Sequence, residues 1–409
     1  MSIRLPKVDA VLVGVGWTGG ILAKEMCEAG LKVVGLERGR FRQTDPDFQP
    51  PQNHDELRYH VRHELIQDLS KETVTFRNNL NQTALPYREL GSFLPGEGLG
   101  GASVHWNGVT WRFLPYDFEI RSQTVARYGA NKIPEDMTIQ DWGITYNELE
   151  PYFDRFEYLC GISGQAGNVG GETIAGGNPF EGPRQRPYPT PALTPSYANV
   201  FFREATQRLG YHPFVQPAAN LSQAYTNPDG VGMGACVYCG YCQRFGCEVY
   251  AKPSATITVI PVAQRTGNFE MRMHCNVTRI NMDSSGTRAV SVTYVDMQGR
   301  EVEQPADIIC LTSYVLNNCK LMLVSGIGTP YNPQTGEGVV GKNYAYQAFT
   351  DATVFYDNEV FNTFMGAGAL GMSMDDFNGD NFDHSNLDFI HGGNISNNST
   401  GLGPLRQTS

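Results

Sequence analysis

The chain has 409 residues, 41% of them hydrophobic, and 31 Lys and Arg against 42 Asp and Glu, a formal net charge of −11. That length accommodates two or three domains, each with its own core, and the acidic balance repels a phosphate backbone and argues against nucleic-acid binding. No apolar run approaches the roughly 18 residues a membrane-spanning helix needs, so no transmembrane segment is expected. The 45 glycines and 24 prolines imply a loop-rich chain whose backbone often passes close to something else, as a large bound cofactor would explain.

Val8 to Val13 reads as a buried strand that stops at Gly14. "GVGWTG" then places Gly14, Gly16 and Gly19 in G-x-G-x-x-G spacing, and Trp17 and Thr18 open a helix that runs to Ala29 before Gly30 stops it. A second strand, "KVVGLE", ends at Glu37, followed by Arg38. The first glycine allows the tight turn, the second lets a pyrophosphate reach the backbone, and the third lets helix and strand pack closely. The helix N-terminus faces the phosphate charge. Glu37, 18 residues after Gly19, can accept hydrogen bonds from an adenosine ribose and would repel a 2′-phosphate, which disfavours NADP. NAD and FAD both fit this much. The first twenty residues lack a signal peptide's cleavage site, so no export signal is expected in the chain.

A second glycine cluster, "GEGLGGASVHWNG" at 96–108, reads as another backbone wrap around a ligand. "GLGGASVHWNG" resembles the segment with which the GMC (glucose-methanol-choline) flavin oxidoreductases cover their FAD. "CNVTRI" resembles that family's adenine-touching strand, "LMLVSGIG" the end of its second signature, and "VVGKNYAYQ" its V-G-x-N segment. Asn317 and Asn318 depart from the small residues or proline expected just upstream, which puts the local turn in question. The resemblance implies FAD held by Gly14, Gly16, Trp17, Thr18, Gly19, Glu37, Arg38, Gly100, Gly101, Ser103, His105, Asn107, Gly108 and Val277. His105 is read as a flavin neighbour without a catalytic role, since no substrate proton can be placed near it. "LSKETVTFRNN", "FLPGEGLGGASVHW", "IPEDMTIQDWGITYNELEPYFD" and "MDDFNGDNFDH" resemble the branch of membrane-associated sugar-acid dehydrogenases with a flavoprotein large subunit, over essentially the whole chain.

Residues 163–195 are rich in Gly, Pro, Gln and Asn and read as an extended loop or linker. "SYANVFFREATQRLG" reads as a helix with Ser196 as N-cap and a core-facing stripe of Val200, Phe201 and Leu209. "CVYCGYCQRFGC" then spaces Cys236, Cys239, Cys242 and Cys247 as C-x₂-C-x₂-C-x₄-C. Disulfides this close in sequence would close tiny loops and stabilise little. Structural zinc usually joins separated C-x₂-C pairs or adds histidines, and no histidine lies between Pro213 and Met273. An iron–sulfur cluster fits the spacing better than zinc. The resemblance implies a three-iron (3Fe–4S) cluster held by three of the four cysteines and leaves open which three. Such a cluster would let electrons leave a two-electron flavin singly. Tyr238, Tyr241 and Phe245 could shield it from water or pack on a partner. Cys27, Cys160, Cys275, Cys310 and Cys319 read as buried free thiols.

"NFEMRMHCNVTRINMDSSGTRAVSVTYVDMQGR" reads as strands flanking a hairpin at "DSSG", and "PADIICLT" as a buried strand. The expected fold is α/β: a discontinuous Rossmann-like FAD-binding domain at 1–115 and 251–345, an insertion with the cysteine motif at 116–250, and the beginning of an α+β substrate-binding domain at 346–409. The tail from Gly392 reads as an exposed loop. The resemblance puts the family's catalytic His and its partner beyond residue 409, so no catalytic base is assigned and the chain alone is expected to be inactive. His384 and His391 match no catalytic motif and are expected on surface loops. The implied reaction is oxidation of a sugar-acid alcohol, gluconate to 2-ketogluconate in type, with electrons passed through the cluster to a multihaem cytochrome c subunit. A small subunit with a twin-arginine signal would carry the chain to the periplasmic face of the inner membrane; unpartnered, it would stay cytoplasmic. The competing readings are a non-catalytic flavin and cluster carrier, a glucose, sorbitol or 2-ketogluconate dehydrogenase subunit, and an NAD enzyme with a zinc clip.

Overall fold

The computed structural model describes residues 3–48, 65–68, 70, 74–77, 79, 81–86, 89, 95–347, 349–361 and 366–399. Parts of "LSKETVTFRNN" and "FLPGEGLGGASVHW", and the tail from residue 400, lie outside the described residues. The described chain packs as two units. One comprises residues 3–48, the described part of 65–105, and 254–353; the other comprises 106–253 and 354–399.

The first unit is built on a seven-stranded mixed sheet. Its strands are β1 (Ile3–Arg4), β2 (Val8–Val13), β3 (Val33–Leu36), β4 (Phe269–Arg272), β5 (Asn276–Met282), β6 (Ala289–Val295) and β7 (Glu301–Leu311), in the order β4-β3-β2-β7-β6-β5 with β1 beside β7. β4, β3, β2 and β7 run parallel, and β7, β6 and β5 antiparallel. The first half of β7 pairs with β6 and β1; its second half pairs with β2, from Ala306 beside Val8 to Leu311 beside Val13. Successive side chains point to opposite faces of a strand. Accordingly Val11 and Val13 pack with Val34, Leu36, Ile280, Val292 and Tyr294 on one face. Ala10 and Leu12 pack on the other with Ala23 and Cys27 of helix α1 (Trp17–Glu28). The hairpin at "DSSG" is the β5–β6 turn, where Asp283 Oδ1 accepts the Thr287 N–H at 3.1 Å.

The second unit holds an antiparallel three-stranded sheet of Phe214–Val215, Gly371–Met374 and Ile395–Asn398. Most of the 116–250 insertion and of the 346–409 segment therefore falls in one unit. Residues 395–398, read from sequence as exposed loop, are a strand because their backbone pairs with Gly371–Met374. The helix Tyr197–Arg208 is capped by Ser196 as expected. Its apolar stripe is not its core face, however: Val200 and Phe201 are half-buried and Leu209 is 71% exposed, while Asn199 and Thr206 are buried. The Asn199 amide donates to the Asn397 carbonyl and side chain, so a polar pair anchors this helix to the sheet.

The 163–195 stretch is also more than a linker. The helix Tyr146–Cys160 carries Glu150, Asp154 and Glu157 on one face. They hold Arg112, Arg184 and Arg186, and the Arg184 side chain is wholly buried. Buried charge must be paired, and that requirement organises a segment poor in apolar residues.

Candidate functional site

The turn after β2 is shaped by what touches its glycines. A Cβ on Gly19 would stand 2.3 Å from the Gly14 carbonyl oxygen, so only glycine lets α1 start this close to β2. That oxygen accepts the Thr312 hydroxyl at 2.6 Å, which pins the turn to the end of β7. Gly16 is the N-cap of α1, with no side-chain cap and no acidic residue in the first turn. Trp17 and Thr18 thus begin a helix whose leading N–H groups and dipole face an anion site. A Cβ on Gly16 would meet nothing closer than the Gly100 oxygen at 3.8 Å and the Gly101 Cα at 3.9 Å. The cradle has room at the position a pyrophosphate takes in this motif.

The second glycine cluster closes on the first. Gly100 donates its N–H to the Val15 carbonyl at 2.7 Å, and Leu99 donates to Arg40 at 3.1 Å. Gly100 has φ +87° and Gly101 φ +53°, left-handed conformations that favour glycine. Ser103 Oγ donates to the Gly100 carbonyl at 2.5 Å and accepts the Ala255 N–H at 3.1 Å, locking the short helical turn Gly101–Val104. Glu37 is buried at the end of β3. Its two carboxylate oxygens accept the Val15 N–H at 3.0 Å and the Gly39 N–H at 2.9 Å, and each keeps a lone pair for a ribose hydroxyl. Arg38 lies 3.5 Å from Glu97. Val277 sits half-buried on β5 against the Val11–Tyr294 cluster, and His105 is buried at the end of the Gly101–Val104 turn.

The first unit therefore brings together Gly14, Gly16, Trp17, Thr18, Gly19, Glu37, Gly100, Gly101, Ser103 and His105. Asn107 and Gly108 belong to the second unit, where Asn107 Oδ1 accepts the Val109 N–H and Gly108 accepts the Ala219 N–H at 2.7 Å. Asn317 and Asn318 turn out to stabilise the turn they brought into question. Asn318 Oδ1 accepts from the Ser313 N–H at 3.0 Å and hydroxyl at 2.8 Å, and Asn317 donates to the Ser313 carbonyl.

The cysteine segment lies in the second unit. None of its four cysteines is in a disulfide. Each gap between them contains a residue with positive φ: Tyr238 (+55°), Gly240 (+80°) and Arg244 (+73°). These turns let backbone N–H groups face sulfur. Tyr238 donates to Cys236 Sγ at 3.4 Å, and Cys239 and Cys242 receive N–H groups from Tyr241 and Gly368. Asn220 adds a side-chain donor to Cys242 at 3.6 Å. Burial, reinforced by the neighbouring sulfurs, pushes the Cys236 and Cys239 thiols up to about 12. Burial also raises Cys242, partly offset by Lys252. Tyr241 and Phe245 are buried, their rings edge to face at 5.3 Å. Among the described residues no three His, Cys, Asp or Glu side chains converge as a metal-holding group. The four cysteines expected to hold an iron–sulfur cluster are therefore not brought together as a ligand set in this structure.

One residue here carried no signal in the sequence. Lys252 is buried and donates to the carbonyls of Trp106 (2.6 Å), Cys242 (2.7 Å) and Phe245 (2.8 Å). Desolvation lowers its pKa, and the four cysteines, Cys242 first, act in the other direction. His384 and His391 are not simple loop residues either. His384 is fully buried against Tyr128, Phe382 and Phe389, and His391 Nε2 lies 2.9 Å from Asp117.

The parallel strands, the glycine turn and the terminal acid define a dinucleotide-binding α/β protein. The description "GMC oxidoreductase" matches residues 140–348. The chain is 49% identical over 406 residues to the gluconate 2-dehydrogenase flavoprotein of Pantoea cypripedii, covering 98% of this chain and 66% of that protein. It is 28% identical to the fructose dehydrogenase large subunit of Gluconobacter japonicus over 58% of this chain and 41% of the relative. Among solved structures, pyridoxine 4-oxidase from Mesorbium loti has a TM-score of 0.44 at 19% identity, covering 78% of this chain and 52% of that one. This chain belongs to the GMC oxidoreductase family, which supports FAD as its cofactor. It spans less than two thirds of the length of the curated relatives it matches. Among the described residues no helix is long and apolar enough to cross a membrane.

Proposed function

We propose that this chain is the FAD-holding part of a dehydrogenase that oxidises a secondary alcohol of a sugar acid, in the manner of gluconate to 2-ketogluconate. The observation that carries the reading is the 49% identity to a gluconate 2-dehydrogenase flavoprotein across 98% of the chain. The open Gly16 cradle and the backbone-held Glu37 supply its physical basis. When bound, FAD supplies a two-electron hydride acceptor. The residues of this chain hold its phosphates at the α1 N-terminus, fix its ribose at Glu37 and wrap it with the Gly96–His105 segment.

In the same reading, Cys236, Cys239, Cys242 and Cys247 supply the ligands of an iron–sulfur cluster of three-iron type that passes electrons singly to a multihaem cytochrome c subunit. Support comes from the spacing, the absence of disulfides among these four cysteines and the N–H groups directed at three sulfurs. A small subunit with a twin-arginine signal would bring the chain to the periplasmic face of the inner membrane. The test is an anaerobic preparation with FAD, iron and sulfide supplied, assayed with an artificial electron acceptor on gluconate, 2-ketogluconate, glucose and sorbitol in the complex with its partners. Flavin absorbance with reduction by gluconate first is the expected result. Retained flavin that no sugar or sugar acid reduces would overturn the substrate reading and leave an electron carrier.

A further inference from the structure

We propose that Tyr314 and Tyr344 close over the diphosphate of bound FAD and donate a phenol hydrogen to it. The proposal rests on the FAD reading above. Tyr314 has φ +76° and ψ 145°, at the border of a region that is essentially reserved for glycine because a Cβ crowds the adjoining peptides. Most positive-φ positions among the described residues are glycine, so a tyrosine kept at this one implies that its side chain is needed. The surroundings hold it there. Asn318 Oδ1 accepts the Ser313 N–H at 3.0 Å and hydroxyl at 2.8 Å, the Asn318 N–H donates to the Tyr314 carbonyl at 2.8 Å, and Asn317 donates to the Ser313 carbonyl at 3.0 Å. Strain that neighbours enforce in this way is a mark of ligand clamps.

The place is the carboxyl end of β7. The Thr312 N–H donates to the Val13 carbonyl at 3.0 Å, and a Cβ on Gly14 would stand 2.7 Å from the Ser313 Cα. Tyr314 is thus one residue beyond the contact with the Gly14 turn, on the edge of the parallel strands where open α/β sheets take their ligands. It is 38% exposed, and its phenol oxygen lies 2.7 Å from that of Tyr344, 30 residues on and equally exposed. The segment carrying Tyr344 is fixed at its base. A Cβ on Gly341 would lie 3.7 Å from Cys319 Sγ of the helix Val315–Ser325, and Lys342 donates to the Val339 carbonyl at 3.2 Å. Asn343, next to Tyr344, has φ +58°, which asparagine tolerates. A phenol donates one hydrogen and accepts two, so the bond between the two rings does not exhaust the pair. Whichever oxygen accepts, its own hydrogen can be donated onward. An anionic diphosphate oxygen is the strongest acceptor that a ligand of the Gly14–Gly16 turn brings.

The test measures binding of FAD by flavin fluorescence and of ADP by isothermal titration, with melting of the flavin-free chains. ADP carries the diphosphate without the flavin. The double variant Tyr314→Phe/Tyr344→Phe keeps both rings and removes both hydroxyls. It should melt as wild type does and bind FAD and ADP about tenfold or more weakly, the loss of one charge-assisted hydrogen bond. Tyr314→Gly should melt no lower than wild type, because released strain offsets lost ring contacts, yet show the same loss of affinity. Wild-type affinity in the double variant overturns the proposal and leaves the FAD reading intact. Weaker FAD binding with unchanged ADP binding overturns the placement at the diphosphate. A wild-type chain that binds neither overturns the FAD reading as well. If the variants do not fold, the wild-type chain decides: ADP binding should produce a tyrosine difference spectrum in the near ultraviolet, and its absence overturns the proposal.

Discussion

Exchanging Gly16 for alanine separates the cradle's own packing from what the cradle holds. The added methyl would meet its nearest neighbours at 3.8 and 3.9 Å, ordinary contact distances, and Gly16 has φ −88°, which alanine tolerates. The flavin-free chain should therefore fold as well as wild type, or slightly better, because alanine narrows the unfolded ensemble. A pyrophosphate lying in that space would be displaced and would lose charge-assisted hydrogen bonds to the α1 N-terminus, each worth ~1.5–3 kcal/mol. One such loss weakens FAD binding about 10- to 150-fold. Gly19→Ala is the contrasting variant. Its Cβ would have to retreat from 2.3 Å to at least 3.0 Å from a carbonyl oxygen that Thr312 holds in place. Overpacking of that kind costs ~1–3 kcal/mol, so this variant should lose both stability and flavin. Thermal melting of the flavin-free proteins and a flavin-fluorescence titration read the two effects separately. A Gly16→Ala chain that binds FAD with wild-type affinity would refute the placement of the pyrophosphate.

Three further outcomes follow from the second unit and from Glu37. Arg184→Ala removes a wholly buried cation bonded to Glu157, near Glu181 and stacked on Tyr188. Breaking a buried pair costs ~3–5 kcal/mol, so melting should fall on the order of 10 °C for a domain of this size, while Arg208→Ala, at a largely exposed pair, should leave it unchanged. For His391, burial works against protonation, but the Asp117 carboxylate and the Gly392 carbonyl prevail and raise its pKa above 6.5. A folded-state pKa above the unfolded value means that its stabilising contribution is complete below about pH 6.5 and is lost as pH rises through the raised value. His391→Gln should remove that slope from melting measured between pH 5.5 and 8.5, and an unchanged slope would contradict the assignment. In Glu37→Gln the new amide opposes an N–H group of Val15 or Gly39 where the carboxylate accepted both, costing ~1–3 kcal/mol of stability; the flavin-free chain should melt lower, and isothermal titration should show weaker FAD binding because the ribose loses a charged acceptor.

Much of the first unit is legible in the sequence, because its signals are local. Strand, turn, helix and acid from Val8 to Glu37 occupy thirty consecutive residues, and their spacing is set by backbone geometry. The hairpin at "DSSG" and the Ser196 cap are local in the same way. The helix after Ser196 carries an apolar stripe that suggests a core face, but position on a helix does not reveal which face meets a sheet, and here Asn199 does. The tail looked like loop because its composition is polar, yet a polar strand forms where a neighbour supplies backbone partners, as Gly371–Met374 does. His384, expected at the surface, is enclosed by three aromatic rings brought together only in the folded unit.

By itself the sequence determined the dinucleotide turn and the second glycine cluster that closes on it, because each lies in a short stretch where conformational preference and spacing carry the information. Tertiary structure alone decided how those pieces are held. Thr312 donates to the Gly14 carbonyl, Asp117 meets His391 across 274 residues, Arg184 finds Glu157, and Lys252 reaches back to Trp106. The physical reason is common to all four. A buried polar or charged group must find a partner wherever the fold brings one, and one chain's sequence does not indicate which distant residue that will be.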